Sequence, residues 1–309
     1  KGLGWVRSGF RCSQMWASKR DVFVVQRRSM CGRGKRRKGW VSGVVFALVA
    51  LSAWKSCASS PVTFEEPLGH VERVPIASNG AFKYRSYAEM VKEMRELENK
   101  YPEFVKLHDA QTEFEIAHAG ECDEFAEDGG SQMVSKPCKQ WFLVITNYAT
   151  WTDEEEQSLE SAVQNRPVVL LSGELHGDER VGPHASIEVA KLLAAEKDRL
   201  PWLKQLLDTR VLVIVPMTNA IGFAKSAREE IQQPDGVRID PNRDFPFDQS
   251  PKLCMQTIAA RTINELLRKF TVSLMLTFHG GTNVIGYEWG DYGHCSQTGK
   301  CENAPDHAF

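Results

Sequence analysis

The apolar positions of residues 83–309 form two alternating patterns. Short, nearly continuous apolar runs predict buried strands, at Phe104–His108, Trp141–Thr146, Pro167–Leu171, Val211–Val215 and Val272–Thr277. Apolar residues at helical spacing predict helices, over Tyr87–Lys100, Gly182–Glu196, Pro201–Asp208 and Cys254–Phe270. Because strands alternate with helices, we predict an α/β fold with a mixed, largely parallel central sheet and helices on both faces.

Three regions lack this pattern. Residues 61–82 have no periodicity and predict an extended lead-in. Residues 119–137 are rich in glycine and acidic residues and predict a surface loop or hairpin arm. The stretch Pro216–Lys252 predicts a long loop.

The loop after the third predicted strand carries the sequence HGDE, with His176 and Glu179 three residues apart. An imidazole nitrogen and a carboxylate oxygen from one turn of chain can bind one Zn²⁺ and leave a position open for water. His279 follows the last predicted strand, and Gly280 and Gly281 beside it allow a close backbone approach. His279 is therefore the candidate third ligand.

Two arginines follow the strand Val211–Val215. Asn242 and Arg243 lie within DPNRDFPFD, and the guanidinium of Arg243 can bind a carboxylate through two parallel hydrogen bonds. Arg228 lies within SAREE. Beside a metal, Arg228 could polarise a scissile carbonyl and stabilise the oxyanion that follows.

Each of these features is weak by itself. A single H-x-x-E pair rarely binds metal, a single loop arginine usually forms a surface ion pair, and we assign Asp178 and His184 to a loop and a helix surface. The site hypothesis gains weight because ligands bind beyond the carboxyl ends of strands in such sheets. Three predicted strands deliver the suggestive residues to that edge.

Charge is unevenly distributed along the chain. Residues 1–40 hold 12 Lys or Arg and one acid, whereas the rest holds 26 basic and 39 acidic residues, a net charge of −13. The acidic bulk argues against nucleic-acid binding by the globular part.

The basic start has the form of a signal peptide. The sequence RGKRRK at 33–38 precedes the apolar run Val41–Ala53, and small residues follow at Ser56–Ser60. The run has 13 residues, fewer than the roughly 20 that span a bilayer, so we expect no stable membrane span. A signal-anchored form and a buried helix behind a basic arm are the alternatives. We predict a leader over residues 1–60, with Met30 as its start, and a secreted or lumenal protein.

Five cysteines lie beyond the leader. Cys122 and Cys138 flank the polar insertion and could close it by a disulfide, as an oxidising compartment would favour. Cys295 and Cys301 could close a second loop. Cys254 is left over, either with a missing partner or as a buried thiol. Their spacing does not predict a cysteine zinc site.

The sequences LHGDERVGP, DPNRDFP and FHGGTNVIGYEWGD, in this order, resemble the zinc metallocarboxypeptidase family of the carboxypeptidase A/B and N/E type. The run after His279 is more similar to the regulatory, processing branch than to the digestive branch. The resemblance covers residues 83–309, including the first predicted helix. It implies one Zn²⁺ held by His176, Glu179 and His279.

The resemblance also implies roles for the arginines. Asn242 and Arg243 match the pair that holds the terminal carboxylate of the substrate, which would be a peptide or protein C-terminus. Arg228 matches the arginine that stabilises the oxyanion. The preceding loop departs from the family, because 219–222 reads Asn-Ala-Ile-Gly where many members have Asn-Pro-Asp-Gly.

One family residue has no match in the chain. The general base of the family is a glutamate on a strand well downstream of the third ligand. Glu288 follows His279 too closely, and Glu302 falls in a cysteine-bracketed region. We therefore expect an incomplete domain at Phe309, without its last strands, final helix and base, so this chain by itself could be inactive.

Three functions are consistent with these residues. The first is a zinc metallocarboxypeptidase that removes the C-terminal residue of peptides or proteins. The second is a related zinc amino-acid deacylase, although such enzymes usually lack a signal peptide and the first helix region. The third is a non-catalytic carboxypeptidase-like binding protein without the base.

Overall fold

The computed structural model describes residues 83–126, 131–152, 163, 165–245, 254–281 and 285–286, together with the backbone of Phe23–Arg27. The rest of the predicted leader, the lead-in at 61–82, and the residues Cys295, Cys301, Glu288 and Glu302 lie outside this part of the chain.

The structure contains short strands and helices in alternation. The strands are β1 Phe23–Arg27, β2 Val105–Asp109, β3 Glu121–Phe125, β4 Met133–Pro137, β5 Trp141–Ile145, β6 Val168–Ser172, β7 Val211–Val215, β8 Glu230–Ile231, β9 Arg238–Ile239, β10 Leu274–Thr277 and β11 Ile285–Gly286. The helices are α1 Tyr87–Lys100, α2 Ala110–Phe114, α3 Val181–Glu196, α4 Pro201–Thr209, α5 Ala220–Lys225 and α6 Ile258–Phe270. Within the described residues, no helix is long and apolar enough to cross a membrane.

Seven strands form the main sheet in the order β11-β1-β10-β6-β7-β5-β2. The central strands β10, β6 and β7 are parallel to one another. Strands β5 and β2 continue the sheet in antiparallel fashion on one side, and β1 pairs antiparallel with β10 on the other. The predicted mixed sheet with a parallel centre is confirmed. Strand β1 is an element that the sequence pattern did not predict.

Side chains of the central strands alternate between two apolar layers. In β5, Leu143 and Ile145 face the layer covered by α1, α3, α4 and α5, whereas Phe142 and Val144 face the layer covered by α6. Both faces are buried, which explains why these strands are continuous apolar runs in the sequence. The predicted helices on both faces are thus confirmed.

Regular secondary structure occurs in residues 119–137 and in the stretch Pro216–Lys252. Residues 119–137 contain the hairpin β3–β4, and the disulfide Cys122–Cys138 closes it as predicted. Cys254 is disulfide-bonded as well, so it is not a leftover thiol. The prediction of a long loop over Pro216–Lys252 is wrong in part, because this stretch contains α5, the small hairpin β8–β9 and a 3₁₀ turn at Pro241–Arg243.

Candidate metal centre

The carboxyl ends of β10, β6 and β7 lie side by side. Ser172 at the end of β6 is in register with Thr277 of β10 and with Val215 of β7. The loop after β6 carries His176 and Glu179, and the residue after Phe278 in the segment that follows β10 is His279. Parallel strands therefore bring residues about 100 positions apart to the same edge.

The three predicted metal ligands form one compact group. The Nδ1 atom of His176 lies 2.8 Å from Oε1 of Glu179, and Nδ1 of His279 lies 3.0 Å from Oε2 of the same carboxylate. The two Nδ1 atoms are 3.2 Å apart. One ligand atom from each residue fits within 4.8 Å of the others.

The donor set suits Zn²⁺. Two imidazole nitrogens and a carboxylate are ligand types that zinc prefers, and three protein ligands leave a position for water. The Nδ1 atoms of both histidines face the carboxylate of Glu179, so each Nδ1 would direct a lone pair into the group once it is deprotonated. Nε2 of His279 is buried and lacks a hydrogen-bond partner among the described residues. These residues can therefore hold a metal ion.

Glycines allow the loops to meet at this edge. A Cβ atom on Gly177 would lie 2.0 Å from the carbonyl carbon of Gly222 in α5, so a side chain cannot fit there. Gly280 donates its N–H to Oε2 of Glu179 over 2.9 Å. The backbone of Gly280 therefore approaches the side chain of Glu179 closely, as the sequence predicted for this glycine.

Asp240 is a residue of the site that the sequence analysis missed. Its Oδ1 lies 3.1 Å from Nε2 of His176 and accepts the N–H of Asn242 over 2.9 Å. A carboxylate on the second ring nitrogen fixes the tautomer and orientation of a ligating histidine. The signal was present as the first residue of DPNRDFP, directly before the Asn-Arg pair.

The charges of the centre are mutually stabilising. Burial disfavours an imidazolium, but hydrogen bonds with Asp240 and Glu179 outweigh it and raise the pKa of His176. Burial also opposes ionisation of Glu179, yet hydrogen bonds with His176 and His279 hold its pKa far below the usual range. In the same way, despite burial, His176 lowers the pKa of Asp240 to about 2. Both carboxylates are therefore ionised at neutral pH.

Arg228 lies beside this carboxylate pair. Its guanidinium donates to Oε1 of Glu179 over 3.4 Å and to Oδ2 of Asp240 over 3.3 Å, with 37% of the side chain exposed. Its carbonyl accepts the N–H of Gly177 and the side-chain amide of Asn219. Asn219 also caps α5 through Gly222. The departure from the family at 219–222 therefore leaves Arg228 at the metal centre.

The predicted clamp follows Asp240 directly. Asn242 is buried in the 3₁₀ turn, and Arg243 is half-buried, with its guanidinium donating to the carbonyl of Asn242 over 2.9 Å. The positive charge of Arg243 contributes to lowering the pKa of Asp240. All six predicted site residues thus lie at one edge of the sheet.

Asp178 and His184, two polar residues near the metal centre, differ in their exposure. Asp178 is exposed, as expected for a loop residue. His184 was assigned to the surface of a helix, and this is wrong, because only 5% of it is exposed. Its ring is hydrogen-bonded to the backbone on both sides.

A family model and several curated proteins match this chain. Residues 138–308 match the family Peptidase_M14, described as zinc carboxypeptidase. Human carboxypeptidase D is 31% identical over 156 residues, covering 46% of this chain and 11% of that protein. Carboxypeptidase SOL1 of Arabidopsis thaliana is 26% identical over 127 residues, covering 41% of this chain and 26% of that protein.

A solved structure is also similar. Bovine thrombin-activatable fibrinolysis inhibitor in complex with tick carboxypeptidase inhibitor has a TM-score of 0.47 and 12% identity, covering 73% of this chain and 68% of that chain. The chain spans about a quarter or less of the length of the curated relatives it matches.

Proposed function

Because the chain belongs to the zinc carboxypeptidase family, we propose that it acts as a zinc-dependent metallocarboxypeptidase that removes the C-terminal residue of peptides or proteins. One observation supports this best. The group of His176, Glu179 and His279 lies beside Arg228 at the sheet edge that also carries the Asn242–Arg243 turn.

The metal group defines the reaction class. Bound there by His176, Glu179 and His279, Zn²⁺ would supply a water molecule with a pKa lowered toward neutrality. Asp240 holds His176 with Nδ1 directed into the ligand group. Gly280, in the segment after β10, donates its N–H to the carboxylate of Glu179. These contacts orient the ligands before a substrate arrives.

The cationic residues support a substrate with a free terminal carboxylate. Arg228 lies beside the metal group, where it would stabilise the oxyanion that develops on the scissile carbonyl. Arg243 and Asn242 would bind the terminal carboxylate through charged hydrogen bonds. Only the last residue of a peptide would then be presented for cleavage. We assign no general base among the described residues.

The experiment uses the full-length protein loaded with zinc. Peptides with a free C-terminal carboxylate, the same peptides as C-terminal amides, and acyl-amino acids are incubated with it, and the products are identified by mass spectrometry. We expect release of the last residue from the free-carboxylate peptides only. Cleavage of the acyl-amino acids alone would support a deacylase, and binding without cleavage would support a carboxypeptidase-like binding protein.

The clamp is tested by Arg243→Ala. Loss of a buried charged hydrogen bond costs roughly 2–5 kcal/mol, so KM for free-carboxylate peptides should rise by about 30-fold or more, while kcat changes less. Arg238→Ala is the matched control, because Arg238 lies on the nearby β9 strand and pairs with Glu229 at the surface. An unchanged KM for Arg243→Ala would place the clamp elsewhere.

A further inference from the structure

Two buried carboxylates join the arginine loops to the same helix. Glu230 lies two residues after Arg228, and Asp244 lies one residue after Arg243. Their exposed fractions are 0% and 1%. Neither residue contacts the predicted metal ligands, yet both side chains reach the N-terminus of α6.

Glu230 binds the first turn of α6 with both oxygens. Its Oε1 accepts the N–H of Ile258 over 2.8 Å, and its Oε2 accepts the N–H of Ala259 over 2.9 Å. These amides belong to the first helical positions, which have no partner within the helix. A carboxylate is also stabilised there by the positive end of the helix dipole.

Asp244 binds the residues just before the helix. Its Oδ1 accepts the N–H of Gln256 over 2.9 Å, and its Oδ2 accepts the N–H and the hydroxyl of Thr257 over 2.6 and 2.7 Å. Its carbonyl accepts the N–H of Met255. Thr257 caps the helix itself through the N–H of Ala260. Because α6 already has its own cap, the two carboxylates connect loops to the helix as well as capping it.

Helix α6, to which these loops are hydrogen-bonded, is packed into the core. Its inner face is fully buried against the sheet, through Ile263, Leu266 and Phe270. In the described part of the segment between β7 and α6, the elements are short, such as the two-residue strands β8 and β9. A rigid helix can therefore determine where these loops place their backbone.

Backbone position matters most for the two arginines. The contacts of Arg228 with Glu179 and Asp240 are 3.4 and 3.3 Å long, and 37% of its side chain is exposed. Arg243 binds the carbonyl of its own neighbour, Asn242. In both cases the backbone position limits which groups the guanidinium can reach.

We propose that Glu230 and Asp244 are positioning residues of the site: Glu230 holds Arg228 at the metal centre, and Asp244 holds the Asn242–Arg243 clamp. The roles of the arginines rest on the proposed function. The anchoring of their loops to α6 does not.

The first test measures anchoring without activity, by amide hydrogen exchange in the full-length, zinc-loaded protein. The N–H of Gly177 donates to the carbonyl of Arg228, so Glu230→Gln should speed its exchange at least tenfold. The N–H of Asn242 donates to Asp240, so Asp244→Asn should speed that exchange instead. Faster exchange confined to α6 would overturn the proposal, because the carboxylates would then only cap the helix.

The second test measures the consequence for catalysis by double-mutant cycles. Misplacement of a catalytic group by about 1 Å costs up to roughly 100-fold in rate. We expect Glu230→Gln to lower kcat by about 10- to 100-fold, and to have almost no further effect in an Arg228→Ala background. Asp244→Asn should raise KM, with almost no further effect in an Arg243→Ala background. Equal effects in every background would overturn the positioning roles.

Two further variants serve as a control and as a substitute for Glu230→Gln. Glu229→Gln removes the neighbouring carboxylate, which pairs with Arg238 at the surface, and should leave exchange and kinetics unchanged. If Glu230→Gln does not fold, Glu230→Asp keeps the charge but is too short to bind both amides. Faster exchange at Gly177 in a protein without peptidase activity would contradict the proposed function and support the anchoring.

Discussion

Buried histidines occur in two regions of the molecule with opposite surroundings. At the metal centre, His176 and His279 are 0% and 6% exposed, and their partners are the carboxylates of Glu179 and Asp240. At the start of α3, His184 is 5% exposed, and both ring nitrogens bind backbone groups. The three histidines are therefore similarly buried, but their hydrogen-bond partners differ.

The partners of His184 select one neutral form of the ring. Nδ1 donates to the carbonyl of Arg180 over 2.8 Å, and Nε2 accepts the N–H of Arg85 over 2.7 Å. A second ring proton would point directly at the Arg85 amide. Burial, together with the positive charges of Arg85 and Arg180, lowers the pKa of His184.

The difference separates a candidate metal ligand from a structural histidine. Carboxylates around His176 collect negative charge and raise its pKa, so this region favours a cation. Burial and the positive charges of Arg85 and Arg180 around His184 disfavour one. The same side chain is a candidate ligand in one region and a structural link in the other, because of groups distant in sequence.

The largest expected effect separates the two regions directly. His176→Ala and His279→Ala each remove one of three ligands and should abolish stoichiometric zinc, whereas His184→Ala should keep it. Metal content of the purified proteins after dialysis, by mass spectrometry, measures this. Full zinc retention in either His176→Ala or His279→Ala would contradict the proposed zinc site.

The central sheet and the grouping of the candidate metal ligands were predictable because they depend on local patterns. The apolar run Val211–Val215 coincides with β7, and Trp141–Thr146 exceeds β5 by one residue. His176 and Glu179 are spaced for one ion, and parallel strand order determines where His279 meets them.

The missed features depend on contacts between distant residues. Helix α5 is capped by Asn219, whose amide also binds the carbonyls of Leu175 and Arg228. Asp240 acquires its role from His176, 64 positions earlier. Polar loop sequence contains no periodicity that could reveal such contacts.

A smaller effect is expected when a carboxylate partner is removed and the ligand is kept. Asp240→Asn leaves His176 without the charged acceptor at Nε2, and loss of such a partner typically lowers metal affinity by about 10- to 100-fold. Competition with a chromophoric chelator measures zinc affinity. Asp178→Asn is the matched control, because Asp178 lies in the same loop and is exposed. Equal affinities in the two variants would mean that Asp240 does not support the ligand.

The smallest expected effect concerns the structural histidine and pH. Because the pKa of His184 is lowered in the folded state, the unfolded chain takes up a proton first as the pH falls below about 6.5. The wild type therefore loses stability with falling pH, by at most about 1.4 kcal/mol per unit of pKa difference. His184→Gln cannot titrate, so its stability relative to the wild type should improve between pH 7 and pH 5.

Urea unfolding at several pH values measures this difference, and the titration of the metal centre cancels because both proteins contain it. The same measurement on His108→Gln, in the partly exposed strand β2, corrects for loss of an imidazole elsewhere. A difference that stays constant from pH 7 to pH 5 would mean that His184 accepts a proton without cost. Its contacts with Arg180 and Arg85 would then not distinguish it from the histidines of the metal centre.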